Sequence, residues 1–204
     1  MHDLLSVAEV EQLPLVDADL LLWPQVDLGC AYDSLMRQLI DDTEWRQQQI
    51  TVYGKPYLQP RLSAWHGDLS YSYSGIRLEP LPWTPVLRQL KQRVEALTGL
   101  EFNSVLLNYY RDGNDGMGMH SDDERELGPR PGIASLSLGE ARDFVLKHRF
   151  RKDIETVKLP LACGSLLLMQ GDTQQFWRHG INKMRRHCGP RMNLTFRKVI
   201  PLNQ

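Results

Sequence analysis

A chain of 204 residues, 42% apolar and 24% charged with a formal net charge of −1, has the length for one domain with a sizeable core and no overall field for a polyanion. Its cysteines, Cys30, Cys163 and Cys188, are odd in number and lack CxxC spacing, which argues against a disulfide framework and a thiolate zinc site. The opening run "MHDLLSVAEVEQLPLVDADLLLWPQ" carries acids among its apolar residues and no basic start, so neither a signal peptide nor a membrane span is expected, and a reducing cytoplasm is the expected location.

In chain order, "AYDSLMRQLIDDTEW" (Ala31–Trp45) places Leu35, Leu39 and Ile40 close to helical spacing and predicts an amphipathic helix. The following "QQQITVYGKPYLQPRLSAWHGDLSYSYSG" predicts hairpins, with "YGKP" as a turn signal and "LSYSYSG" alternating aromatic with serine. "TPVLRQLKQRVEALTG" predicts a second helix: Thr84 caps it, Pro85 suits its first turn, Val86, Leu90, Val94 and Leu97 form its stripe, and Gly99 ends it. Then come short strand-like runs, "SVLLNYY", "IASLSLG", "RDFVLKHR", "ETVKLPL", "GSLLLMQ" and "RMNLTFRKVI", several with a period of two and separated by Gly, Pro, Asp or Asn.

Two early helices followed by half a dozen strands predict an α+β fold, an antiparallel jelly roll with helices packed outside. Residues 1–204 are expected to form one domain, with about 1–50 as extension and helix, about 51–82 as hairpins and about 100–204 as the jelly roll. The open mouth between the two sheets is the expected place for chemistry.

In "MGMHSDDERE", His120 and Asp122 are two residues apart, a spacing that puts both side chains on one face at a strand end. Alone, the pair is also compatible with a solvated acidic loop. A later histidine would complete two imidazoles and a carboxylate with open positions, the arrangement associated with non-haem Fe(II) oxygenases. His148, in the basic "LKHRFRK", is expected to be solvated, and His187, after "MRR", is expected on a surface loop. His179, in "QQFWRHGIN" after an apolar strand and an aromatic pair, is the chosen third ligand. In "RMNLTFR", Arg191, Asn193, Thr195 and Arg197 share one strand face opposite Met192, Leu194 and Phe196. Two inward arginines need a carboxylate or phosphate partner, a dicarboxylate among them; the alternative is an exposed edge strand.

Together, "NYYRDGNDGMGMHSDDE", "FWRHGIN" and "PRMNLTFR" resemble the AlkB family of Fe(II)/2-oxoglutarate-dependent nucleic-acid dealkylases, in the branch of the human alkylation-repair homologues. The resemblance runs from "TVYGKPYLQPR" to the end, about three quarters of the chain. It implies a double-stranded β-helix core and iron held by His120, Asp122 and His179. It implies 2-oxoglutarate contacted by Asn108 and Tyr110, its distal carboxylate paired with Arg191, and Asn193, Thr195 and Arg197 lining its pocket. On the substrate side it implies base reading by Asp123 and Glu124, base or backbone contacts from Tyr71, Ser72 and Tyr73, a Tyr53 hairpin that probes the duplex, and Arg61 on phosphate.

The implied reaction uses Fe(II), 2-oxoglutarate and dioxygen. It strips alkyl groups from bases such as 1-methyladenine and 3-methylcytosine in DNA, with RNA as a further substrate, and releases succinate and formaldehyde, as in repair of alkylation damage. An alkylated pairing edge is hidden in a duplex, so the base must be flipped or the strand single. The basic clusters 147–152 and 183–187 offer a phosphate path or two solvated faces. The resemblance implies a monomer. Two rivals remain: the same core hydroxylating a protein or small molecule, and a non-catalytic jelly-roll binding module.

Overall fold

Strands with apolar residues on both faces must be covered on both sides, and the strands of the second half of the chain read this way. The computed structural model describes residues 9–52, 54–73 and 76–201. Strands β1 (Glu11–Leu13) and β2 (Asp19–Trp23) precede helix α1 (Tyr32–Asp42). Five short strands follow: β3 (Gln49–Val52), β4 (Lys55–Leu58), β5 (Leu62–Gly67), β6 (Tyr71–Tyr73) and β7 (Ile76–Leu78). After helix α2 (Pro85–Thr98) come β8 (Ser104–Tyr110), β9 (Met117–His120), β10 (Ile133–Gly139), β11 (Arg142–His148), β12 (Val157–Leu161) and β13 (Leu166–Gln170). The one-turn helix α3 (Thr173–Phe176) leads into β14 (Trp177–Ile181), and β15 (Arg191–Arg197) closes the order.

Two antiparallel sheets form the jelly roll. The larger has seven strands in the order β1-β2-β13-β10-β15-β8-β5, the smaller four in the order β12-β11-β14-β9. The pairs β3-β4 and β6-β7 stand apart as hairpins. One face of the large sheet packs Val105, Leu107, Leu136, Leu168, Leu194 and Phe196 against Leu35, Met36 and Leu39 of α1 and Leu87, Leu90 and Val94 of α2. The residues of opposite parity face the small sheet, where Leu106, Tyr110, Ile133, Leu167 and Met169 meet Phe144, Leu146, Leu161, Trp177 and Ile181. Each buried apolar side chain contributes about 1.5–3 kcal/mol. A one-residue slip would exchange the two faces, so register is strongly specified. The same parity turns Asn108 and Tyr110 of β8, and the polar face of β15, into the space between the sheets.

Helix α2 forms as its sequence predicts. Thr84 Oγ1 accepts from Leu87 N at 3.3 Å, Pro85 opens the first turn, and Gly99 ends the helix at φ 71°, a conformation glycine adopts without cost. Its buried residues are Leu87, Leu90 and Val94, while Val86 and Leu97 are partly buried, so the covered stripe is rotated by about one residue from the predicted one. Among the described residues no helix is long and apolar enough to cross a membrane.

Three readings change. Strand β15 is interior, flanked by β10 and β8, which removes the exposed-edge alternative for its arginines. His148 is not solvated but 5% exposed, because it shares its face of β11 with Phe144 and Leu146. Its Nε2 lies 3.2 Å from Asp17 Oδ2 and its Nδ1 accepts from the backbone N–H groups of Phe150 and Arg151, so basic neighbours in sequence mask an inward ring. The first fifty residues supply more than extension and helix: β2 pairs with β13 and places Leu20 and Leu22 in the inter-sheet core.

Candidate metal centre and cosubstrate pocket

Strand pairing brings the predicted ligands together. β9 and β14 run antiparallel with His120 opposite His179, and Asp122 lies two residues past the end of β9. His120 Nε2 is 3.9 Å from Asp122 Oδ1, His179 Nε2 is 3.7 Å from Asp122 Oδ2, and all three ligand atoms lie within 4.8 Å of one another. Both carboxylate distances fall inside the reach of two bonds of about 2.0–2.2 Å to a single ion.

The surroundings fix each ligand. His120 Nδ1 donates to Gly118 O at 2.9 Å, which leaves the Nε2 lone pair for a metal. Phe144 stacks on the His179 ring with centroids 5.0 Å apart. Gln174 Oε1 accepts from Asp122 N at 3.0 Å, and Arg197 Nη2 donates to Asp122 Oδ1 at 2.8 Å. Gly180 lets β9 pass close by, since a Cβ there would meet Met117 O at 2.8 Å. A larger residue after the distal histidine would not fit this crossing.

Electrostatics leave the cluster ready for a cation. Burial lowers His179 to about 3, with the neighbouring His120 adding to the effect, and burial likewise lowers His120. Both rings are therefore neutral at pH 7. Burial alone would raise the Asp122 carboxyl, but Arg197, His179 and His120 overcome it and bring it down to about 2. Two neutral imidazoles and one carboxylate form a donor set suited to a divalent first-row metal.

Beside this cluster lies a cavity lined by Asn108, Tyr110, Arg191, Asn193, Thr195 and Arg197, six residues singled out in the sequence. Arg191 is 1% exposed; its Nη2 donates to Ser137 Oγ at 2.9 Å and its guanidinium lies 5.5 Å from the centroid of the Tyr110 ring. Its Nε and Nη1 are buried and, among the described residues, have no hydrogen-bond partner. A desolvated cation with two unused donor nitrogens fits a carboxylate, and the pocket's open donors match one end of a dicarboxylate. Asn193 and Thr195 are bonded to the sheet around them: Asn193 Nδ2 donates to Ser135 Oγ of the neighbouring β10 at 2.7 Å, and its Oδ1 accepts from Thr195 Oγ1 of its own strand at 2.8 Å.

The substrate-side residues divide. Asp123 is exposed and paired with Arg149, Oδ2 to Nη1 at 2.9 Å, and Glu124 is half-buried; neither lines the cavity. Arg61 is corrected: it is 4% exposed and donates Nε to Asn108 Oδ1 at 2.7 Å, so it lies behind a pocket residue, not on an outer phosphate path. The parity Arg61–Ser63–Trp65 carries it inward with β5. Tyr71, Ser72 and Tyr73 form β6 of the hairpin, and Tyr53 lies outside the described residues. Sequence reasoning missed Ser137, Phe144 and Gln174. The first two were accessible from alternation in "IASLSLG" and "RDFVLKHR"; Gln174, on a one-turn helix, has no such signal.

An antiparallel jelly roll with two histidines and a carboxylate at the inter-sheet mouth, beside a buried arginine with two unused donor nitrogens, defines a mononuclear metal oxygenase with a carboxylate cosubstrate pocket. The sequence profile of the 2OG-Fe(II) oxygenase superfamily matches residues 30–197. The chain is 44% identical over 180 residues to the DNA oxidative demethylase ALKBH2 of Mus musculus, covering 83% of this chain and 75% of that protein. It is 43% identical over 205 residues to the alpha-ketoglutarate-dependent dioxygenase alkB homolog 3 of Homo sapiens, covering 96% of this chain and 71% of that protein. Among solved structures, that of OsALKBH1 superposes with a TM-score of 0.65 over 93% of this chain and 100% of that one at 16% identity, a likeness of fold. The chain belongs to the AlkB family of 2OG-Fe(II) oxygenases and is a dioxygenase that uses Fe(II), 2-oxoglutarate and dioxygen.

Proposed function

We propose that this protein removes N-alkyl groups from bases in DNA, of the 1-methyladenine and 3-methylcytosine type, as a repair activity against alkylation damage. The observation that carries the reading is one inter-sheet cavity holding both the His120–Asp122–His179 cluster and the buried Arg191 with open donors. The choice of DNA follows from the relatives named DNA oxidative demethylase at 41–44% identity.

His120, Asp122 and His179 hold the metal, Arg191 grips the distal carboxylate of 2-oxoglutarate, and Asn108, Tyr110, Asn193, Thr195 and Arg197 shape the pocket around it. Fe(II) with 2-oxoglutarate and dioxygen supplies the oxidation that converts an N-methyl group to formaldehyde while 2-oxoglutarate becomes succinate and carbon dioxide. The chain's own part is to orient and to exclude water: the walls of Phe144, Met169 and Ile181 keep the cavity apolar around its few charged groups. Asp123 and Glu124, which directly follow the metal carboxylate in sequence, read the base, with the β6–β7 hairpin on the substrate side. Lys147, Arg149, Arg151 and Lys152, with Arg178 beside them, border a surface groove next to Met119 and supply a phosphate path. RNA enters by the same route. A monomer in the cytoplasm completes the reading, supported by three cysteines that are all free thiols.

The test is turnover of oligonucleotides carrying 1-methyladenine or 3-methylcytosine, single-stranded and duplex, in DNA and RNA, with formaldehyde and succinate measured together. Loss of methyl groups in step with succinate is expected. Succinate formation that ignores every methylated oligonucleotide and responds to a peptide or small molecule would sink the nucleic-acid assignment.

A further inference from the structure

Arg142, the first residue of β11, is 2% exposed, and among the described residues it makes no ion pair with a carboxylate. Its guanidinium instead donates to three backbone carbonyls: Nη1 to Asp112 O at 3.3 Å, Nη2 to Asp115 O at 3.1 Å and Nη2 to Asn182 O at 2.5 Å. The first two acceptors sit in the loop between β8 and β9, the third just past β14. One side chain thus ties together the ends of the strand bearing Asn108 and Tyr110, the strand bearing His120 and the strand bearing His179.

We infer that Arg142 is a positioning residue that sets the register of β9 against β14, and through it the metal affinity of the His120–Asp122–His179 cluster. This inference rests on the reading of that cluster as the metal site. The strand pairing alone specifies the register weakly, because it consists of His179 opposite His120 and Ile181 opposite Met117 with an irregularity between them. A slip of one residue would turn His120 to the other face.

The seam held by Arg142 is close-packed by independent contacts. Met184 N donates to Gly113 O at 2.7 Å. A Cβ on Gly113 would meet Met184 O at 2.9 Å, and one on Gly116 would meet Ile181 O at 2.7 Å, so the two loops approach as only glycine permits. Arg111 closes the first loop from outside, with Nε to Asp115 Oδ2 at 2.7 Å and Nη2 to Asp115 Oδ1 at 2.9 Å. Further along the same face of β11, Phe144 and Leu146 fill the inter-sheet space with apolar groups. A buried cation in that row is costly as mere filling, which points to the fixed fork geometry of its donors as its use.

The experiment is Mn(II) binding to the full chain without 2-oxoglutarate, followed by the electron paramagnetic resonance signal of free Mn(II), with near-ultraviolet circular dichroism as the check of folding. Arg142→Met is expected to weaken Mn(II) binding about 10–100-fold, the range for residues that orient metal ligands. Arg142→Lys, which keeps the charge and reaches fewer carbonyls, falls between it and the wild type. Gly113→Ala leaves Arg142 in place but forces the seam apart, and it is expected to weaken Mn(II) binding as well. It keeps the test open where Arg142→Met does not fold. Folded Arg142→Lys and Gly113→Ala proteins that bind Mn(II) within two-fold of the wild type would overturn the inference. A wild-type chain that binds no Mn(II) is a separate failure, that of the metal-site reading itself.

Discussion

Replacing Arg197 by Met tests how the site balances its buried charges. Arg197 and Asp122 have side chains 3% and 1% exposed and are joined at 2.8 Å. Removing one partner of a buried pair costs about 3–5 kcal/mol, because a charge is left desolvated without its counterion. At about 2–4 °C per kcal/mol for a chain of this size, the metal-free variant should melt about 6–20 °C below the wild type at pH 7. In the wild type the Asp122 carboxyl sits at about 2, below its ordinary value of 3.8, so it contributes stability that is complete above 3.8 and lost as the pH falls toward 2. Without Arg197 the largest opposing charge is gone and burial pushes the carboxyl upward from its wild-type position, so the penalty fades on acidification. The gap in Tm should therefore be widest near neutrality and narrow toward pH 4. Mn(II) supplies a replacement cation, so the variant should gain more in Tm from Mn(II) than the wild type does. Calorimetric melts at several pH values, each with chelator and with excess Mn(II), measure all three effects. A metal-free loss below about 1 kcal/mol, or a gap that does not change with pH, would refute the reasoning.

His120→Ala and Asp122→Ala should abolish Fe(II)-dependent succinate formation while melting as cooperatively as the wild type, checked by turnover and thermal scans side by side. Arg61→Met should raise the KM for 2-oxoglutarate several-fold through the freed Asn108 side chain and leave the affinity for an unmethylated oligonucleotide within about two-fold; the opposite pattern restores the phosphate role. Thr84→Ala removes the cap of α2 and should cost about 0.5–2 kcal/mol in chemical denaturation without changing turnover.

Much of this site was legible because it is written in strand parity. "RMNLTFR" separates a core face from a pocket face by simple alternation, and burial on both faces forces the strand into a sheet interior. Reading the same alternation through "RDFVLKHR" would have turned Arg142 and His148 inward with Phe144 and Leu146, but the basic residues around His148 suggested a solvated face for it. The polar groups are paid for by specific partners, carbonyls for Arg142 and Asp17 for His148, that lie far away in sequence. Arg61 was misplaced for the same reason: its partner Asn108 is 47 residues distant. The pairing of β2 with β13 joins Asp19–Trp23 to Leu166–Gln170, far apart in sequence, and leaves no local trace beyond an apolar run.

The strands at the chain's start also bear on how the domain is delimited. The family match begins at residue 30, beyond both β1 and β2. A fragment trimmed to the matched span would strip β2 from β13 and lay bare the backbone of Leu166–Gln170 as a new sheet edge, a template on which a second molecule can add a strand. It would also release the groups that fasten the segment around α3 and β14: Trp177 Nε1 from Val16 O, and Thr173 Oγ1 from Asp19 N. Such a fragment would keep every ligand residue and still lose both its solubility and the firm seating of His179.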